Sequence, residues 1–135
     1  MNILQPPGWA RAKGFSNGIA ASGKLVFVAG QIGWTGEGKW EARDFAGQFR
    51  QALLNVITVL KEAKGKPEHI VRLTWYVLDR QEYLNSLKAV GEAYRELMGR
   101  HYPTMAVVQV SGLIEPEARL EIEATAVLPE KRAEK

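Results

Sequence analysis

The chain contains no cysteine, which excludes disulfides, thiolate metal sites and cysteine nucleophiles together. Histidine is scarce. His69 and His101 stand apart, with no carboxylate or second imidazole at metal-ligand spacing, so neither a metal centre nor a bound cofactor is expected. No run approaches the roughly 20 apolar residues that cross a bilayer, and Met1-Asn2-Ile3-Leu4-Gln5-Pro6-Pro7 lacks the basic start and apolar stretch of a secretory signal. A cytoplasmic protein without membrane contact is the expectation. Charge of one sign is not concentrated anywhere: the net +3 is spread along the chain, and Glu130-Lys131-Arg132-Ala133-Glu134-Lys135 mixes both signs. Polyanion binding needs basic residues on one face, so nucleic acid is not an expected partner.

What is present suits one domain. A length of 135 residues with 46% hydrophobic and 24% charged content provides apolar mass for a single core. Residues 1–13, with Pro6, Pro7 and Gly8, read as an irregular arm, and residues 129–135 as a solvated charged tail. Ile19-Ala20-Ala21, Ser22-Gly23 and Lys24 to Ala29 read as a hairpin. Leu25 to Ala29 is nearly all apolar, which predicts a strand buried on both faces. Gly30, Gly33, Gly36 and Gly38 then punctuate a long turn, with a further short strand possible near residue 40. Their spacing matches neither GxGxxG nor GxxxxGK[ST], so they read as turn glycines rather than a phosphate loop.

From Asp44 the period becomes helical. Phe45, Phe49, Ala52, Leu53, Val56, Ile57 and Leu60 fall on one stripe, with Asp44 as cap and Gly65 as the stop. Val71 to Leu78 is β-prone. Asp79 with Glu82 signals a second helix start, and Tyr83, Leu84, Leu87, Val90, Tyr94, Leu97 and Met98 carry that helix to Gly99. Met105 to Val110 and Leu120 to Val127 are two more strands. The expected class is α+β: one mixed sheet with two helices on one face. Its other face would stay partly apolar, a surface that in small domains commonly meets a second subunit.

Chemistry-bearing residues are few. In the last strand Glu121 and Glu123 share one side, opposite Leu120, Ile122 and Ala124. From pattern alone they read as a solvated strand face sooner than a catalytic pair. Ser16, Ser22, Ser86 and Ser111 lack any nucleophile-elbow context. Trp34, after the Gly30-Gln31-Ile32-Gly33 turn, is the best candidate for a ligand wall, with core or interface packing equally open.

Gly14-Phe15-Ser16-Asn17, Val28-Ala29-Gly30-Gln31-Ile32, Thr74-Trp75-Tyr76-Val77, Pro103 to Val110 and Leu120-Glu121-Ile122-Glu123-Ala124 occur in an order and spacing that resemble the RidA (YjgF, endoribonuclease L-PSP) family. The likeness runs from about Gly14 to Val127, making residues 14–128 the domain. It implies a chorismate-mutase-like fold, a homotrimer, and small-molecule clefts between subunits. It also implies hydrolysis of imines or enamines, with Phe15 closing the cleft, Ala29 and Gly30 presenting backbone to the ligand, and Glu121 positioning water. Members that deaminate enamines carry an arginine where this chain has Met105, and often a small polar residue where it has Val107. The anchor for a substrate carboxylate is thus missing, and Met105, Val107 and Trp34 are expected to form a more apolar pocket. That implies a substrate other than 2-aminoacrylate, or a non-catalytic binder of the same fold. A ribonuclease or translation-inhibitor role gains nothing from these residues. Arg11 or Lys13, just before Gly14, is a candidate to restore the lost charge.

Overall fold

The computed structural model describes residues 1–130. Its elements in chain order are β1 (Asn2–Leu4), β2 (Gly18–Ala20), β3 (Lys24–Ile32), α1 (Phe45–Lys61), a 3-10 turn (Pro67–His69), β4 (Ile70–Val77), α2 (Arg80–Asn85), α3 (Leu87–Met98), β5 (Thr104–Gln109) and β6 (Leu120–Leu128). Four strands form one mixed sheet in the order β3-β6-β4-β5, with β4 and β5 parallel and the other pairs antiparallel. β6 is therefore central. Its Leu120, Ile122, Ala124 and Ala126 are buried beneath the helices, and Glu121, Glu123 and Thr125 take the other side, as the alternation predicts.

α1 forms where the 3.6-residue period places it. Asp44 caps it by accepting a hydrogen bond from the Gly47 N–H at 3.1 Å. Phe49, Leu53, Val56 and Leu60 are fully buried against Ile70, Leu73, Leu120 and Ile122 within the core. Each such side chain contributes about 1.5–3 kcal/mol of burial. The helix stop differs from the expectation: Lys64, not Gly65, takes the left-handed conformation, with φ 63°. Gly65 is needed for closeness instead, since a Cβ there would stand 2.5 Å from Leu60 Cδ1.

Several local expectations are corrected. The arm is not wholly irregular, because Asn2–Leu4 pairs antiparallel with Gly18–Ala20 in a separate two-stranded sheet. That pairing replaces the hairpin expected between residues 19–21 and 24–29. No strand forms near residue 40 among the described residues. The second helix is two, broken at Ser86, whose hydroxyl donates to the Glu82 carbonyl at 2.8 Å and competes with the regular ladder. β3 is an edge strand in this chain and is buried on one face only: Leu25 is 58% and Phe27 73% exposed. A continuous apolar run does not distinguish burial within a chain from a face left open. The charged tail from residue 131 onward lies outside the described residues.

One polar residue sits in the centre of the α1 stripe. Gln48 is fully buried, donates to the carbonyls of Glu117 (2.9 Å) and Ala42 (3.3 Å), and accepts from the Arg119 N–H at 2.8 Å. It ties the loop before β6 to α1. Gly33 permits this approach, for a Cβ there would fall 2.5 Å from Gln48 Cβ. Arg119 also pairs with Glu82 of α2 at 2.5 Å, so the start of β6 is held from two sides.

Candidate functional site

The sheet divides the candidate residues into two groups. Leu73 and Trp75 of β4 are buried under the helices, and their cross-strand partners on β5 are Met105 and Val107, which therefore belong to the helix side. Glu121 lies opposite Tyr76, between buried Trp75 and Val77, and so belongs to the open side. Within one chain the sheet separates Met105 from Glu121.

On the open side, β3 carries a bulge: pairing with β6 runs Val28 to Ala124 and resumes at Gln31 to Ile122, leaving Ala29 and Gly30 opposite the single residue Glu123. The Glu121 carboxylate lies against this bulge. A Cβ on Gly30 would stand 2.6 Å from Glu121 Oε2 and 2.7 Å from its Cδ, so a glycine is required for the carboxylate to sit there. The two glutamates are unequal. Tyr76 Oη donates to Glu123 Oε1 at 2.6 Å, and that bond to the carboxylate raises the phenol above its ordinary pKa, with desolvation and the charges of Glu123 and Glu121 adding to it. Glu121 takes no hydrogen bond or ion pair among the described residues.

On the helix side, Phe15, Met105 and Val107 border a cavity of about 580 Å³ between α3 and β5. Phe15 is set there by Ser16, which is buried and anchored twice to the chain before β5: its hydroxyl donates to the Tyr102 carbonyl at 2.5 Å and its N–H to that of Pro103 at 3.1 Å. Aromatic rings make much of the wall. Tyr94 and Tyr102 stack at 5.5 Å with planes 6° apart, and Trp75 and Tyr83 stand edge to face at 6.0 Å. Burial lifts the Tyr83 and Tyr94 phenols above their ordinary range, Tyr102 adding to the effect on Tyr94, so both stay neutral hydrogen-bonding groups. Trp75 Nε1–H is buried without a partner among the described residues.

Trp34 joins neither group. It packs on Trp40 at 5.9 Å, and its carbonyl accepts a 2.7 Å bond from Asn55 Nδ2 of α1. Lys13 does line the cavity beside Met105, whereas Arg11 borders a separate shallow depression with Trp9 and Phe15. Arg95 of α3 is a second cation at the cavity that sequence reading missed. The signal was faint: Gly91, an unfavourable residue inside a helix, sits one turn before it. No cluster of three metal-ligating side chains occurs among the described residues, and no helix there is long and apolar enough to cross a membrane.

A mixed four-stranded sheet backed by helices, with a bulge-held carboxylate on its open side and an aromatic cavity on its helix side, defines an α+β domain with candidate residues on both sides of the sheet. The endoribonuclease L-PSP family model matches residues 8–128. The chain belongs to this family, the RidA/YjgF proteins. It is 32% identical over 105 residues to a RutC family protein of Pyrococcus abyssi, covering 77% of this chain and 79% of that one. It is 32% identical over 108 residues to the 2-iminobutanoate/2-iminopropanoate deaminase of Salmonella typhimurium, covering 78% and 80%. Among solved structures, the Rid family protein YyfB of Yersinia pestis, of unknown function, superposes with a TM-score of 0.83 at 30% identity over 94% of this chain and 98% of that one. Escherichia coli TdcF with bound serine gives 0.66 at 30%, covering 95% and 99%.

Proposed function

We propose that the protein hydrolyses the C–N bond of an imine or enamine, at a site completed when two copies meet, with Glu121 as the water-handling residue. The observation that carries this reading is the unpaired Glu121 carboxylate resting on the Gly30 bulge. The likeness to imine deaminases supports the reaction class. Exposed Leu25, Phe27 and Val108 on the open sheet face support self-association, and a homotrimer with ligand clefts between subunits fits the family resemblance. In the proposed step water adds to the C=N carbon as Glu121 accepts its proton. The carbinolamine then collapses, the C–N bond breaks, and the proton leaves with ammonia, giving the carbonyl product.

The substrate is one other than 2-aminoacrylate, since Met105 supplies no charge for a small carboxylate. Ammonia release from a panel of enzymatically generated imines tests the reading. Turnover that disappears in Glu121→Gln supports it; ligand binding with no turnover on any substrate leaves a binding protein of the same fold. A stable monomer by mass in solution would overturn the two-copy site.

Two substitutions probe the halves separately. Gly30→Ala pushes the flexible end of Glu121 off the bulge while the backbone there stays extended, so ammonia release is expected to fall roughly tenfold or more with little loss of thermal stability. Met105→Arg supplies a charge-assisted bond for a carboxylate, and kcat/KM for 2-aminoacrylate is expected to rise about tenfold or more. Coupled assays that generate the enamine in place measure both.

A further inference from the structure

We propose that the cavity between α3 and β5 takes a flat aromatic carboxylate, its ring within the aromatic wall and its anionic group at the rim on Arg95, with Lys13 as a second cation. This rests on the cavity being the substrate half of the proposed site and names the class of ligand it takes. The residue set carries the inference. Phe15, Trp75, Tyr83, Tyr94 and Tyr102 surround the space, and Met105 and Val107 close it with apolar groups. Ring-on-ring contact suits a planar ligand better than a small aliphatic one, and about 580 Å³ lies within the range of small-molecule pockets.

The charges around the cavity have one sign. Lys13 and Arg95 line it, and among the described residues no aspartate or glutamate does. Among the described residues neither cation pairs with a carboxylate: the ion pairs are Lys39 with Glu37, Arg50 with Glu96, and Arg119 with Glu82. Glu96, the acidic neighbour of Arg95, is thus engaged elsewhere, on Arg50 of α1. Gly91 explains how the guanidinium is accommodated: a Cβ there would stand 3.3 Å from Arg95 Nη1. The helix surface is bare at that point, and the guanidinium lies over it at the rim. A planar guanidinium beside aromatic walls matches a carboxylate attached to a ring. Arg95 thus serves as the specificity-determining cation from a helix, where Met105 leaves β5 without one.

Calorimetric titration of the full chain with phenylacetate, indole-3-acetate and 1-naphthaleneacetate, each beside its primary amide, tests this. At low salt at least one acid is expected to bind about tenfold tighter than its amide. Arg95→Gln is expected to remove most of that preference and leave amide affinity unchanged, Arg95→Lys to keep part of it, and Arg95→Gln with Lys13→Gln to abolish it. Arg95 is exposed on its helix, so these variants fold. Equal affinity for acids and amides, a preference that survives the double substitution, or no binding of any acid overturns the proposal. The hydrolase reading fails by a different readout. Acid binding without ammonia release from any imine removes that reading and keeps this one, whereas ammonia release only from imines lacking a carboxylate does the reverse.

Discussion

Glu121→Gln is expected to lower ammonia release about 10²- to 10⁴-fold, the range in which a positioned general base contributes, with little change in the unfolding temperature. The two halves of that expectation have different sources. Glutamine keeps the shape of the side chain against Gly30 but cannot accept a proton from water, so the chemistry is lost while packing persists. Stability is insensitive because Glu121 makes no hydrogen bond or ion pair among the described residues. Glu123→Gln is the contrasting control. Its carboxylate already accepts the Tyr76 hydroxyl at 2.6 Å, a bond the glutamine carbonyl keeps, so turnover and stability are both expected to stay near normal. Steady-state ammonia assays with thermal denaturation of each variant check both; a Glu121→Gln enzyme with near-normal turnover would remove Glu121 from the reaction.

Gln48→Ala is expected to cost about 3 kcal/mol, seen as a drop of roughly 10 °C in unfolding temperature. The side chain is fully buried, and its removal leaves a cavity and strips the Arg119 N–H of its acceptor and the Glu117 and Ala42 carbonyls of their donor. A methionine or leucine of similar volume would fill the cavity but leave those groups unpaired, so Gln48→Leu recovers only part of the loss. The damage reaches function as well. Gln48 holds the segment leading into β6, and β6 carries Glu121 two residues beyond Arg119. Denaturant titration measures the stability, and lower activity well below the unfolding temperature reads the misplacement of β6.

Much of the architecture was legible in the chain because it follows from short-range periodicity. The stripe from Phe45 to Leu60 has a helix's period and is buried almost throughout, and the alternation from Leu120 to Ala126 has a strand's period and separates core residues from Glu121 and Glu123. Asp44 and Asp79 cap helices as their positions predict. Three of the departures have one origin in common, a partner distant in sequence or outside the chain's own sheet. Gly18–Ala20 pairs with Asn2–Leu4 rather than with β3, and nothing in three weakly patterned residues selects between the two. Leu25 and Phe27 look like core and are open. Gln48 looks like a flaw in an apolar stripe until the loop 69 residues away reaches it.

The family itself and the α+β class are properties of residue order, and they were decided by sequence because local pattern and motif spacing encode them. The division of the candidate site was not. Met105 and Glu121 are close in sequence and opposed in space, because residues on adjoining strands face the same or opposite sides according to register, a quantity set by long-range pairing. The same long-range packing brings Arg95, ten residues before Met105, to the rim of the Met105 cavity and leaves Trp34 against Trp40, away from it. Side-chain chemistry is written in the chain; which side of the sheet it serves is decided only when the strands pair and the helices dock.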